Sequence, residues 1–466
     1  MPADTAHPEY ITAASDWRKC RDAVAGQRIV HGRSVAYLPK LSGQTDAEYA
    51  AYKARAVFYN ATARTLDGLS GLVFRKKPVV EMPGGLRDFL GDVDMGGLPF
   101  SSLAEMVVEN VLITGRAGVL IDYPRAADGV ITLGNATEMG MRPLLRLYRA
   151  EQIVNWQVGR IGNATIPVRI VLAETVEESS EDDFVANSVL QYRVLELVDG
   201  EYVQRVFRQI DGVQQQVELI VPKMNGRPLS RLPFVFFGPQ DVSHSVAKPP
   251  LLDLVEVNLS HYRTTADYEH GAHFTGLPTA VVTGHTMSDG DTLSIGGGVA
   301  WVFPEPEAKA SYLEFKGEGL QALERLLDRK ESQMASLGAR MLAPEKRTAE
   351  AAETARIHRH GENSVLASLS NAVSLGLTKV FEWARDWQGL TGNVKVELNR
   401  DFLPVSMSAQ DLTALIAAWQ GGAIAKRDLF DNLKTGEIVS GDRSFEELER
   451  DVLIDRCAVS EAAENS

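Results

Sequence analysis

The side chains of this chain best suited to chemistry are a few histidines, some clustered carboxylates and a glycine run. His270 and His273, in "YEHGAHF", stand one helical turn apart and could share a metal ion. Gly271 lies between them and no third ligand is near, so hydrogen-bonded or interfacial histidines are the better reading. His358 and His360 are two residues apart and point to different faces of a helix, which does not suit co-ligation. "EESSEDDF" at 177–184 gathers carboxylates without an apolar frame to fix their distances, and reads as a solvated connection. Gly296-Gly297-Gly298 falls between two β runs, not ahead of a helix, so it lacks the dipole and amide donors that hold phosphate. "SDGD" at 288–291 has two carboxylates but not the remaining ligands of a calcium loop. G-x-x-x-x-G-K-[ST], G-x-S-x-G and H-E-x-x-H are all absent. The residues therefore point to no catalytic group, no metal and no cofactor.

One basic stretch remains. "GARMLAPEKRTA" at 338–349 carries Arg340, Lys346 and Arg347 around Pro344, between two helical patterns. It reads either as a loop that meets phosphates or as a plain surface connection. Around it the chain is acidic: 466 residues, 44% hydrophobic, net charge −14. That balance argues against a simple nucleic-acid binder, which carries a net basic patch. Cys20 and Cys457 stand near opposite ends and make no redox or metal motif, which suits a reducing compartment. "MPADTAHPEYITAASDWRKC" has no hydrophobic signal core, and no run approaches about 18 apolar residues, so no membrane span is expected. The Asn-x-Ser/Thr triplets at Asn60, Asn135, Asn163 and Asn258 then read as chance matches.

The elements that would position these residues follow from periodicity. A helix is expected over 46–73, from Tyr52, Ala56, Tyr59, Ala63 and Leu66, and another over about 100–113. "AGVLIDYP" reads as a strand after Gly115. Residues 143–238 are mostly β, from "LLRLYR" to "LPFVFF". Two prolines open a helix over about 250–275. A β-rich insert follows, with "TAVVTG", "GVAWVF" and "ASYLEF", and a helix returns from Gly317 to about Leu337. The longest helix is expected over 349–388, with Val365, Leu369, Val373, Gly376, Val380, Ala384 and Trp387 on one face. At 1.5 Å per residue it would be roughly 60 Å long. A short strand, "VKVELNRDF", and two small helices flanking Gly421-Gly422 complete an α+β chain.

This order, and the wording of "VENVLITGRAGVLIDYP", "PPLLDLVEVNLSHYRTTADYEHGAHFTGLPTAVVTG" and "SLGARMLAPEKRTAEAAETARIHRHGENSVL", resembles the portal proteins of tailed bacteriophages over roughly 10–435. The resemblance implies a ring, usually of twelve subunits, at one vertex of the capsid. Double-stranded DNA would pass through its channel without sequence preference. It implies a wing at 1–248, a stem helix at 249–276, a clip at 277–316 and a second stem helix at 317–338. A tunnel loop at 339–349, a long wing helix and strand at 350–400, and a short helical crown and tail at 401–466 would follow. On that map Arg340, Met341, Leu342, Pro344, Lys346 and Arg347 face the channel. Val281, Val282, Val299, Trp301 and Phe303 form the clip interface. The implied partners are the terminase large subunit, capsid or scaffold proteins, and head-completion or tail adaptor proteins. The implied location is the virion, and the host cytoplasm during assembly. The insert has too few strands for a core of its own, so pairing with a neighbouring subunit is expected. Two other readings compete: a terminase-like enzyme, which lacks its phosphate loop here, and a non-ring head–tail adaptor or scaffold.

Overall fold

The computed structural model describes residues 2–124, 141–178, 187–275, 279–286, 301–313, 318–341, 364–402, 409–435, 438–439 and 443–451. Its helices are α1 (Pro8–Ala25), α2 (Gln27–Gly32), α3 (Asp46–Arg55), α4 (Ala61–Val73), α5 (Phe100–Thr114), α6 (Leu252–Thr275), α7 (Glu318–Arg340), α8 (Val365–Trp387), α9 (Ala409–Gln420) and α10 (Lys426–Thr435). Its strands are β1 (Val79–Glu81), β2 (Ala117–Asp122), β3 (Leu144–Arg149), β4 (Ile153–Ile161), β5 (Ala164–Glu178), β6 (Asn187–Val198) and β7 (Glu201–Ile210). There follow β8 (Val213–Ile220), β9 (Lys223–Met224), β10 (Arg227–Pro228), β11 (Phe234–Phe237), β12 (Thr279–Thr283), β13 (Lys309–Leu313) and β14 (Lys395–Glu397). The fold is α+β, as the sequence pattern predicts.

Contacts divide the chain into two units. The first holds Met1–Trp17, Leu66–Pro250 and Ala339–Ser466, and the second Arg18–Thr65 and Leu251–Gly338. The expected single body over 1–248 is thus split, because residues 18–65 pack with α6. Asn258 of α6 shows how. Its Oδ1 accepts the Thr62 amide at 3.2 Å and hydroxyl at 2.8 Å, and its Nδ2 donates to the Tyr59 carbonyl at 2.7 Å. The side chain is fully buried, so its triplet is no glycan acceptor in the fold.

In the first unit an antiparallel sheet runs β4-β5-β6-β7-β8. Asp199-Gly200 and Asp211-Gly212, all at positive φ, close the β6–β7 and β7–β8 hairpins as two-residue turns. That is the Asp-Gly chemistry of hairpin turns. A smaller sheet, β11-β2-β3, carries the core. Gly115, left-handed at φ 70, ends α5 and turns the chain into β2, whose first five residues are buried. Helices α5 and α8 pack on this sheet. Phe381 of α8 meets the rings of Phe89 and Phe100 edge-on at 5.7 and 5.2 Å.

Two expected helices are not continuous over the ranges their periodicity suggests. The 46–73 helix is broken: Ala56 is extended, with ψ 126, and the Asn60 side chain accepts the Ala63 amide at 3.0 Å, starting a new helix. The described long helix begins at Val365, and the expected stretch 349–363 lies outside the described residues. Ser364 is extended, with ψ 161, and its hydroxyl accepts the Ala367 amide at 3.1 Å, an N-cap that fixes the start. At 23 residues this helix is about 35 Å long.

Candidate functional site

The second unit holds a helix pair that carries a β hairpin. Strand β12 pairs antiparallel with β13, from Thr279 opposite Leu313 to Thr283 opposite Lys309. Gly284, at φ 74, turns the chain out of β12. Val281 and Val282 are half-buried. Trp301 and Phe303 are also half-buried, while Val302 between them is 87% exposed, the alternation of an extended segment. The Phe303 ring lies 4.8 Å from His285 and 6.5 Å from Trp301. His285 Nδ1 and Glu305 Oε2 are 2.7 Å apart, and that hydrogen bond holds the Glu305 carboxyl below the usual carboxylate range. Four of the five expected clip residues thus stand on or beside one hairpin, and Val299 lies outside the described residues. Among the described residues no third strand joins β12 and β13. Such a pair is marginal alone and keeps open edges.

Helices α6 and α7 differ in how they meet solvent. Along α6, Leu254, Val255, Leu259, Tyr262 and Ala266 are buried. Burial pushes the Tyr262 phenol up to about 12. His270 sits edge-on to Tyr52 and Phe274, at 5.2 and 4.7 Å, and the Tyr52 hydroxyl donates to Asp267 at 2.6 Å. Burial lowers the His270 pKa, as a neutral ring among aromatics requires. Among the described residues no three His, Cys, Asp or Glu side chains are placed to share an ion. On α7 only a narrow stripe is covered, centred on Met334, and the rest of the helix is exposed. Lys330 on its edge donates to the Ser260 carbonyl at 3.0 Å and to the Thr264 hydroxyl at 2.5 Å. Glu331 approaches the buried His261 ring at 3.4 Å.

The basic loop is only partly described. Arg340 is the exposed last residue of α7, so the expected loop start at 339 is helical. Met341 is buried at 8% exposure, and its carbonyl accepts the Leu366 amide at 3.0 Å. Its side chain is therefore committed to packing within the subunit, against the expectation that it faces a channel. Leu342, Pro344, Lys346 and Arg347 lie outside the described residues, as do His358, His360, Gly296–Gly298 and "SDGD".

In the first unit the fold assembles a charged cluster with no linear motif. Glu174 accepts from Tyr148 at 2.5 Å, from Gln191 at 2.7 Å, and from both forks of Arg193 at 2.8 and 3.1 Å. Arg193 also donates to Gln204, which donates to Asp122 at 3.1 Å. Burial alone would raise the Glu174 carboxyl, but the Arg193 fork, with Tyr148 and Gln191, holds it below the usual range. Four donors occupy its two oxygens, so as built it orders strands and offers no free lone pair to a substrate. The only signal in the sequence was polar residues at alternate positions of otherwise apolar strands. An open cleft of about 1230 Å³ lies in the same unit, with Arg227, Arg231, Lys379 and Glu382 along it. None of the residues proposed from the sequence for chemistry, the channel or the clip lines it.

Among the described residues no helix is long and apolar enough to cross a membrane. A family described as a domain of unknown function, DUF4055, matches residues 250–388, which span α6, the hairpin, α7 and α8. No curated protein matches the chain in sequence. Among solved structures the chain is similar to the neck of an empty GTA particle computed with C6 symmetry, at 12% identity and TM-score 0.42, over 84% of this chain and 95% of that one. It is similar to the neck of a native GTA particle computed with C12 symmetry, at 11% identity and TM-score 0.42, over 87% and 99%. A third likeness is to the virion of a native gene transfer agent (GTA) particle, at 12% identity and TM-score 0.39, over 85% and 96%.

Proposed function

We propose that this chain is a phage-type portal subunit that closes into a ring at one capsid vertex. Double-stranded DNA is packaged and released through that ring. The ring docks a terminase and later head-completion or tail proteins, and does no catalysis of its own. The observation that carries this reading is the helix–hairpin–helix of 252–340. Among the described residues, a two-stranded sheet with open edges is held on a helix pair whose returning helix leaves most of its surface uncovered. Such an element is incomplete in one subunit and is completed by neighbours. The portal-like wording quoted above runs through the same stretch.

Native mass spectrometry and negative-stain microscopy of the purified protein test this. Closed rings without ATP hydrolysis are expected. A stable monomer under assembly-permissive conditions would overturn the ring and favour a non-ring adaptor.

A further inference from the structure

The exposed surface of α7 carries two charge flanks. At 100° per residue, Arg325 and Arg329 fall together directly opposite the covered stripe. Glu324, Asp328 and Glu331 form a second flank, roughly 110° round the helix. All five are exposed. Glu324 with Asp328, and Arg325 with Arg329, are like charges at i,i+4, an arrangement that disfavours an isolated helix. Arg325 and Asp328, of opposite sign at i,i+3, offset this only in part: among the described residues none of these four closes an ion pair, and Arg325 Nε folds back onto the Gln321 carbonyl at 3.2 Å. Leu326, 39% exposed, lies beside the basic flank and offers an apolar contact.

We infer that α7 is the seam between adjacent copies of this chain, with the carboxylate flank of one α7 set against the guanidinium flank of the next. The inference rests on the ring reading above, which gives every copy one neighbour on each side. Opposite flanks on one helix are complementary head to tail, so each contact leaves a free flank for the following copy until the ring closes. Such charge patterns fix partner and register. A DNA backbone is the rival occupant of the arginine flank. It is disfavoured because three carboxylates on the adjoining flank would repel phosphates.

Two full-length variants test the seam. Arg325→Glu with Arg329→Glu makes both flanks acidic, and Glu324→Arg with Asp328→Arg makes both basic. Each alone is expected to lose at least tenfold in ring yield by native mass spectrometry, with helix content by circular dichroism unchanged. Mixed in equal amounts they should form rings that alternate the two variants. A chain carrying all four changes should ring by itself. Should a reversal lower helix content, Arg325→Gln with Arg329→Gln is the substitute, and rings that dissociate at lower salt than the wild type are expected. Full ring yield from both reversals overturns the seam, and lost DNA packaging in the arginine variant alone would then assign that flank to DNA. A one-to-one dimer in place of a ring from the mixture overturns the head-to-tail geometry. A monomeric wild type removes the ring reading itself, and the seam with it.

Discussion

Glu174 shows what a buried charge does when every lone pair is occupied. Glu174→Gln keeps the shape but leaves the Arg193 guanidinium buried without its counter-charge, a change that costs about 3–5 kcal/mol in comparable pairs. The unfolding midpoint in denaturant should fall accordingly, and an unchanged midpoint would show that solvent already screens the pair. The same carboxyl sets a pH dependence. The Arg193 fork, with Tyr148 and Gln191, holds its folded pKa below that of an ordinary glutamate, so its contribution is full above the ordinary value and is lost as pH falls through the folded pKa. Acid titration of stability should show this loss in wild type and a shallower slope in Glu174→Gln. None of this was legible in the sequence, because Glu174, Gln191, Arg193 and Gln204 come from three strands whose pairing is set by register. The Asn258 triplet was read as a chance match, but the sequence did not show that its side chain is consumed by Thr62 and Tyr59 of an earlier segment.

At the scale of elements, period and turn chemistry were readable and helix ends were not. The β run from Leu144 to Phe237, the α5–β2 turn at Gly115 and the α6–hairpin–α7 order all follow from local patterns. The helix break at Ala56 and the start at Ser364 are marked by single capping side chains, and the apolar period over 46–73 runs straight through the first. Where the period was right it also located a close approach. A Cβ at Gly376 of α8 would run into the Phe237 ring of β11. Gly376→Ala should therefore overpack this contact and destabilise by about 1–3 kcal/mol. Thermal unfolding would detect it, and an unchanged Tm would mean that the helix can shift off the strand. The hairpin makes a different prediction, because β12 and β13 support no core. Deleting 280–312 should leave a cooperatively folding chain that no longer captures terminase or tail adaptors. Normal packaging and head completion by the deletion would remove the docking role.

For the whole molecule, charge and copy number act together. On the ring proposed above, a subunit at −14 repeated around it would give a strongly negative assembly, which would resist tight adhesion of DNA wherever acidic side chains face the passage. Against that background a few cations can matter. Arg340 ends α7, and Lys346 and Arg347 are the basic residues of the sequence that follows it. Phosphate contacts by such residues are sequence-independent and weaken steeply with salt. Replacing all three by Ala should leave rings nearly intact, since substitutions outside packed or paired features usually change stability by under about 0.5 kcal/mol. The effect should fall on DNA handling, as reduced packaging or loss of genome from filled heads. Pro344→Gly should act in the same direction, because proline restricts the backbone on which the charges are carried. Ring formation is scored by microscopy and packaged DNA by nuclease protection, at two salt concentrations. Unchanged packaging and retention in both variants would reject a channel role for the loop. Failed rings would place it at a subunit interface, where the α7 seam predicts that charge changes act on assembly and not on DNA.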